Sequence, residues 1–182
     1  MRRAPSWLEQ AAFAAPARSL EARAALGAGA AGVLLALTIS RLGDLQLSWW
    51  GWAILALIAF DLFGGIAANA TLAAGRRRPG AGRWRPVAFA AAHLQPLVLA
   101  WLNPEYGWLS ALGLWTCALT GVMICAAPPR IKLSIALVYC VVATSWLAGA
   151  GAAAGLEWLA PAFLTKLVAA HAVVHAGGQG QP

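Results

Sequence analysis

The chain has 182 residues, 61% of them hydrophobic and only 10% charged, with a mean hydropathy of +0.70. Soluble domains carry about 25% charged residues, so this composition excludes a water-soluble globule and points to a membrane protein. The net charge of +7 would suit nucleic acid if it were gathered on one folded face. Instead the basic residues fall in the breaks between apolar runs, and almost all in alternate breaks, so no nucleic-acid partner is expected.

Residues 1–18 hold Arg2, Arg3 and Arg18 around Ser6 and Glu9, which have capping-box spacing, and Pro16 stops the helix that begins there. This segment is expected to lie on the membrane surface. Glu9 and Gln10 interrupt the stretch that a cleavable signal peptide would need to keep apolar. The transmembrane domain, 19–176, contains six apolar stretches: 21–40, 49–74, 86–102, 108–126, 131–150 and 158–176. Each is close to the roughly 17–25 residues that cross about 30 Å of hydrocarbon. The predicted fold is therefore an all-α polytopic membrane helix bundle of about six transmembrane helices, followed by a disordered Gly/Gln tail, 177–182.

Within this frame the first span is rich in small residues (Gly27, Gly29, Gly32), which suits close approach of a neighbouring helix. The second carries Asp61, Gly65 and Asn69 at i, i+4 and i+8, so a carboxylate, a gap and an amide share one face that must look inward. The loop 75–85 holds Arg76, Arg77, Arg78, Arg83 and Arg85, a cluster expected to sit on anionic lipid headgroups. The third span holds His93, Gln95 and Pro96; Pro96 frees the carbonyl of Ala92 and predicts a kink beside the histidine. Residues 103–107 read as a tight turn, and Pro161 falls in the first turn of the last span, where proline is tolerated. Cys117, Cys125 and Cys140 sit inside apolar runs without paired spacing and read as small buried hydrophobes.

Orientation follows from the basic residues. With a cytoplasmic N-terminus, one side receives Arg2, Arg3, Arg18, Arg23, the five loop arginines, Arg130 and Lys132, and the other only Arg41. Trp49, Trp50, Trp52, Trp101, Trp108, Trp146 and Trp158 fall near that other interface, where indoles prefer to sit. The expected topology is N-in, C-in, in the cell (plasma or inner) membrane.

Ionisable groups at membrane depth are costly and mark candidate sites. At 1.5 Å of rise per residue, Asp61 and Lys166 form one layer near the midplane, and Asn69, His93, His171 and His175 form a second toward the cytoplasm. Lys166 is too deep to snorkel easily, so an ion pair with Asp61 is expected. His171 and His175 are spaced i, i+4 and share a face of the last helix. With His93 they make a three-histidine set that leaves a zinc ion one open position for water. The competing reading has each histidine bonding a freed carbonyl, a hydroxyl or a headgroup. Haem held between His93 and His171 is a further reading. A wheel at 100° per residue puts Lys166 and His175 on opposite sides of their helix, which argues against a single catalytic cluster.

A histidine on one span, HxxxH on the last and a buried aspartate resemble the CREST superfamily of membrane hydrolases, which includes adiponectin-receptor-like proteins and alkaline ceramidases. The resemblance implies zinc on His93, His171 and His175, Asp61 as the nearby acid, and a lipid amide as substrate. The pattern departs from the family in having six spans instead of seven, in placing Asp61 before His93, and in having Phe89 and Ala90 where a serine would stand.

Four functions remain open on the sequence. One is a metal-dependent membrane hydrolase acting on a lipid-like substrate, with Asp61 as general base or as the group that orients a zinc ligand, and Lys166 beside it in the catalytic layer. A second is a transporter or channel-like pathway for a small molecule, ion or proton, switched by Asp61 and Lys166. A third is a haem protein. The fourth is an accessory subunit, docked on a membrane-protein partner or a second copy of itself, whose polar groups only specify helix packing.

Overall fold

The computed structural model describes residues 19–70, 84–125, 131–150 and 154–170. The surface segment 1–18, Arg76 to Arg83 of the basic loop, His171, His175 and the tail lie outside the described residues.

The described chain is all-helical. Helix α1 (Ser19–Leu42) leads through a short loop into α2 (Trp49–Asn69), whose start is capped by the Ser48 hydroxyl accepting from the Gly51 amide. Two short helices follow, α3 (Trp84–Ala91) and α4 (Gln95–Leu102). A 3₁₀ turn, Pro104–Tyr106, then leads into α5 (Trp108–Ile124). The Asn103 side chain caps this turn by accepting from the Glu105 amide, and Gly107 leaves it at φ +76°, where a Cβ would be strained. Helix α6 (Lys132–Gly149) and α7 (Leu159–Leu164), continued by a π-helical turn (Thr165–Ala169), complete the bundle.

Among the described residues, three helices, Leu20–Leu42, α2 and α6, are long and apolar enough to cross a membrane, and fewer than a third of the residues in those spans are buried. Leu34, Leu57, Leu109, Val138 and Val141 all point outward with most of their surface uncovered. A helix that is apolar all round yet lies on the outside of its fold has lipid as its solvent. The chain is a membrane protein.

Helices α1 and α2 pack along most of their length because α1 has almost no side chains on the facing stripe. A Cβ at Gly29 would come within 2.7 Å of the Phe60 ring, and one on Gly64 of α2 would come within 3.2 Å of the Ala25 carbonyl. The small residues of the first span thus serve close backbone approach. The hub is α7 with its π turn, which contacts α2, α5 and α6. Leu159, Phe163, Leu164, Leu167 and Val168 are almost wholly buried there.

One end of the bundle is closed by a polar knot. The Ser40 hydroxyl donates to the Gly155 carbonyl at 2.6 Å and accepts from the Trp158 indole at 3.2 Å. Gly155 has φ +84°, and Gly43 is pressed against its backbone. Trp49, Trp101, Trp108 and Trp146 are exposed at this end, and Trp50 stacks obliquely on Trp101 at 5.7 Å. Trp158 departs from the expectation of an interfacial indole: it is 4% exposed, because its N–H is needed by Ser40 inside the knot. Arg41 is stacked on Trp52, 4.1 Å from the ring centroid.

Candidate functional site around Asp61 and Lys166

Asp61 lies midway along α2 and Lys166 is the second residue of the π turn, each placed by the packing of the hub against α2. The Lys166 ammonium donates to Asp61 Oδ2 at 2.5 Å. Gln95, the first residue of α4, donates from Nε2 to the same oxygen at 2.8 Å. Three separate elements therefore converge on one carboxylate oxygen.

The gap in the Asp61–Gly65–Asn69 face has a definite use. A Cβ on Gly65 would lie 2.5 Å from Lys166 Cε and 3.1 Å from Nζ. The lysine stem runs across the bare glycine to reach the aspartate one turn away. Asn69 closes α2 two turns beyond Asp61 and is not part of the pair's hydrogen bonding.

The two charges have unequal surroundings: the lysine is 3% exposed and the aspartate side chain 51%. Asp61 and Gln95 sit at one end of a shallow groove of about 310 Å³ between α2 and α4, walled by Ile54, Leu57, Leu94 and Val98. The pair thus joins the closed interior to an open groove. Gln95 Oε1 is buried and has no partner among the described residues.

His93 occupies a break in the chain, not a kinked helix. The expected span 86–102 is divided into α3 and α4 by Ala92, His93 and Leu94, with Pro96 in the first turn of the new helix. Proline is better accommodated at a helix start than inside one, so the chain restarts. The freed carbonyls find other donors. Ala92 accepts from the Leu94 amide at 3.2 Å and Ala91 from the Trp115 indole at 3.3 Å. His93 turns its own Nδ1 to the Phe89 carbonyl at 2.7 Å. A carbonyl only accepts, so Nδ1 is the donor, which in a neutral ring leaves the lone pair on Nε2. The ring also packs on Phe89 at 4.3 Å between centroids.

The π turn alters the geometry of the last helix. A wide turn holds an extra residue relative to an α-helix, so angles reckoned at 100° per residue through 165–169 do not carry across it. His175, the other residue of the expected Lys166–His175 opposition, lies outside the described residues. Ala170 donates to the Thr165 carbonyl across this turn, and Cys140 Sγ approaches the Leu164 carbonyl at 3.5 Å. Among the described residues, no three His, Cys, Asp or Glu side chains gather at a metal-binding distance; two of the three predicted histidine ligands lie outside them.

Gln95 was not singled out as a site residue in the sequence, although an amide beside a proline at the depth of Asp61 is a readable signal. These features define an all-helical membrane protein with an ion pair held between a broken helix and a π turn. No protein-family model, curated protein or solved structure matches the chain.

Proposed function

We propose that the chain is a six-span protein with both termini cytoplasmic, and that Asp61 and Lys166 form the switchable element of a pathway for a proton or small ion. Support for the topology comes from the eleven basic residues on one set of alternate loops against Arg41 alone on the other. The observation that carries the function is the asymmetric pair, a buried ammonium bonded to a carboxylate that opens on a groove. Irregular backbone at membrane depth is tolerated where it lines a cavity or pathway, and both partners of Asp61 come from irregular backbone, at the α3–α4 break and in the π turn.

In this mechanism a proton or cation arriving along the groove competes with Lys166 for the carboxylate. Loss of the pair releases the lysine stem from Gly65 and uncouples α7 from α2. The test is reconstitution in liposomes loaded with a pH-sensitive dye. Wild type is expected to dissipate an imposed pH or cation gradient, and Asp61→Asn and Lys166→Met to stop it. Flux no greater than in empty liposomes, or equal flux in the variants, would overturn the reading.

A zinc hydrolase is the second reading, and one observation favours it. The Nδ1–H bond from His93 to a backbone carbonyl is how zinc-ligating histidines are oriented, leaving Nε2 for the metal. His93, with His171 and His175, would hold the ion, which would supply an activated water. The Lys166 ammonium and Gln95 both bond Asp61 Oδ2, so a base role for Asp61 would fall to its other oxygen. Elemental analysis of purified wild type and His93→Ala decides this: near one zinc per chain, lost in the variant, supports the hydrolase.

A further inference from the structure

The end of the bundle that carries the tryptophans holds a second cavity, separate from the Asp61 groove. It has a volume of about 500 Å³ between α5, α6 and the start of α7, inside the range of about 300–1,000 Å³ typical of small-molecule sites. Its walls are mostly apolar, with Leu114, Leu147 and Leu159 among them, and four polar side chains reach it: Tyr106, Ser110, Thr144 and Glu157.

Tyr106 is the informative one. It is 6% exposed, and its hydroxyl, which makes no hydrogen bond among the described residues, is not wholly buried and opens on the cavity. Buried tyrosines ordinarily find a partner for the O–H, so this one is available to an occupant. Burial also raises its phenol above the ordinary value, which keeps it a neutral hydroxyl able to donate and accept. Gly113 lines the same space, and a Cβ there would meet nothing within 4 Å. The floor is open, and a side chain introduced at Gly113 would enter the cavity.

Charge decides the kind of occupant. Glu157 is exposed at the cavity and uses Oε1 to accept from the Gly155 amide. The loops at this end carry Asp44, Glu105 and Glu157, and their single basic neighbour, Arg41, is committed to Trp52. Among the described residues, no lysine or arginine lines the cavity. An anion would meet no counter-charge there, whereas an ammonium would meet a carboxylate at the rim and hydroxyl acceptors inside.

We infer that this cavity is a binding site for a small amphipathic amine, its apolar body against Leu114, Leu147 and Leu159 and its ammonium between Glu157 and Tyr106. The inference stands apart from the Asp61–Lys166 reading and survives its failure.

The test is isothermal titration of the full chain in lipid nanodiscs with hexylamine, hexanol and hexanoate, which share a chain and differ in head group. Saturable binding of one hexylamine per chain is expected, with hexanoate much weaker. Glu157→Gln keeps the acceptor for Gly155 but removes the charge, and should weaken hexylamine about tenfold, the scale of one charge-assisted hydrogen bond. Gly113→Phe should abolish binding by filling the space, and Tyr106→Phe should weaken it if the Gly113 variant does not fold. Equal binding of all three probes, meaning a lipid-facing crevice only, or hexylamine binding unchanged in these variants, would overturn the proposal.

Discussion

Separating Asp61 from Lys166 should destabilise the protein by unequal amounts in the two single variants. In Asp61→Asn, Lys166 is 3% exposed and has lost its counter-charge, and leaving one partner of a buried pair alone costs about 3–5 kcal/mol. In Lys166→Met the stranded group is the carboxylate. The loss at pH 7 should be smaller here, because Asp61 keeps its bond from Gln95 and is half exposed. The double variant removes both charges and should lie within about 1–2 kcal/mol of wild type, as for other buried pairs replaced together. Thermal unfolding in detergent measures all three. At about 2–4 °C per kcal/mol for a chain of this size, Asp61→Asn should lose roughly 10 °C or more at pH 7. Equal losses in the two single variants, or a double variant as unstable as the worse single one, would show that the two residues are not an energetic unit.

Two further outcomes follow from the packing. Gly65→Ala puts a methyl group 2.5 Å from Lys166 Cε; it should lift the ammonium off Asp61 and cost about 1–3 kcal/mol, the usual scale of overpacking. A melt unchanged from wild type would mean that the stem does not depend on the bare glycine. Ser40→Ala leaves the Trp158 indole and the Gly155 carbonyl without their partner and should cost about 1–3 kcal/mol. Its expected signature is faster amide exchange around 154–158, and exchange like that of wild type would refute the knot.

Much of the architecture was legible in the chain because lipid imposes a simple rule. A segment must satisfy its own backbone hydrogen bonds, so apolar length alone marks the helices. For that reason the runs at 21–40, 49–74, 108–126 and 131–150 lie close to α1, α2, α5 and α6. The pairing of Asp61 with Lys166 was legible too, since two opposite charges at equal depth leave each other as the nearest relief. The role of Gly65 was half legible, as a gap without an occupant.

Other features were decided only when the helices packed. Pro96 predicts an irregularity, but whether the chain kinks or restarts depends on donors from elsewhere, and Trp115 on α5 supplies one. Nothing in the residues Thr165–Ala169 announces a π turn, and that turn is where Lys166 meets α2. Gln95 becomes part of the site because the helix begins again at that residue, and Trp158 leaves the interface because Ser40, 118 residues earlier, needs its N–H. Sequence reports depth and polarity, which a one-dimensional pattern can carry. Which side chain completes which hydrogen bond is fixed by contacts between distant segments, and only the tertiary structure brings those together.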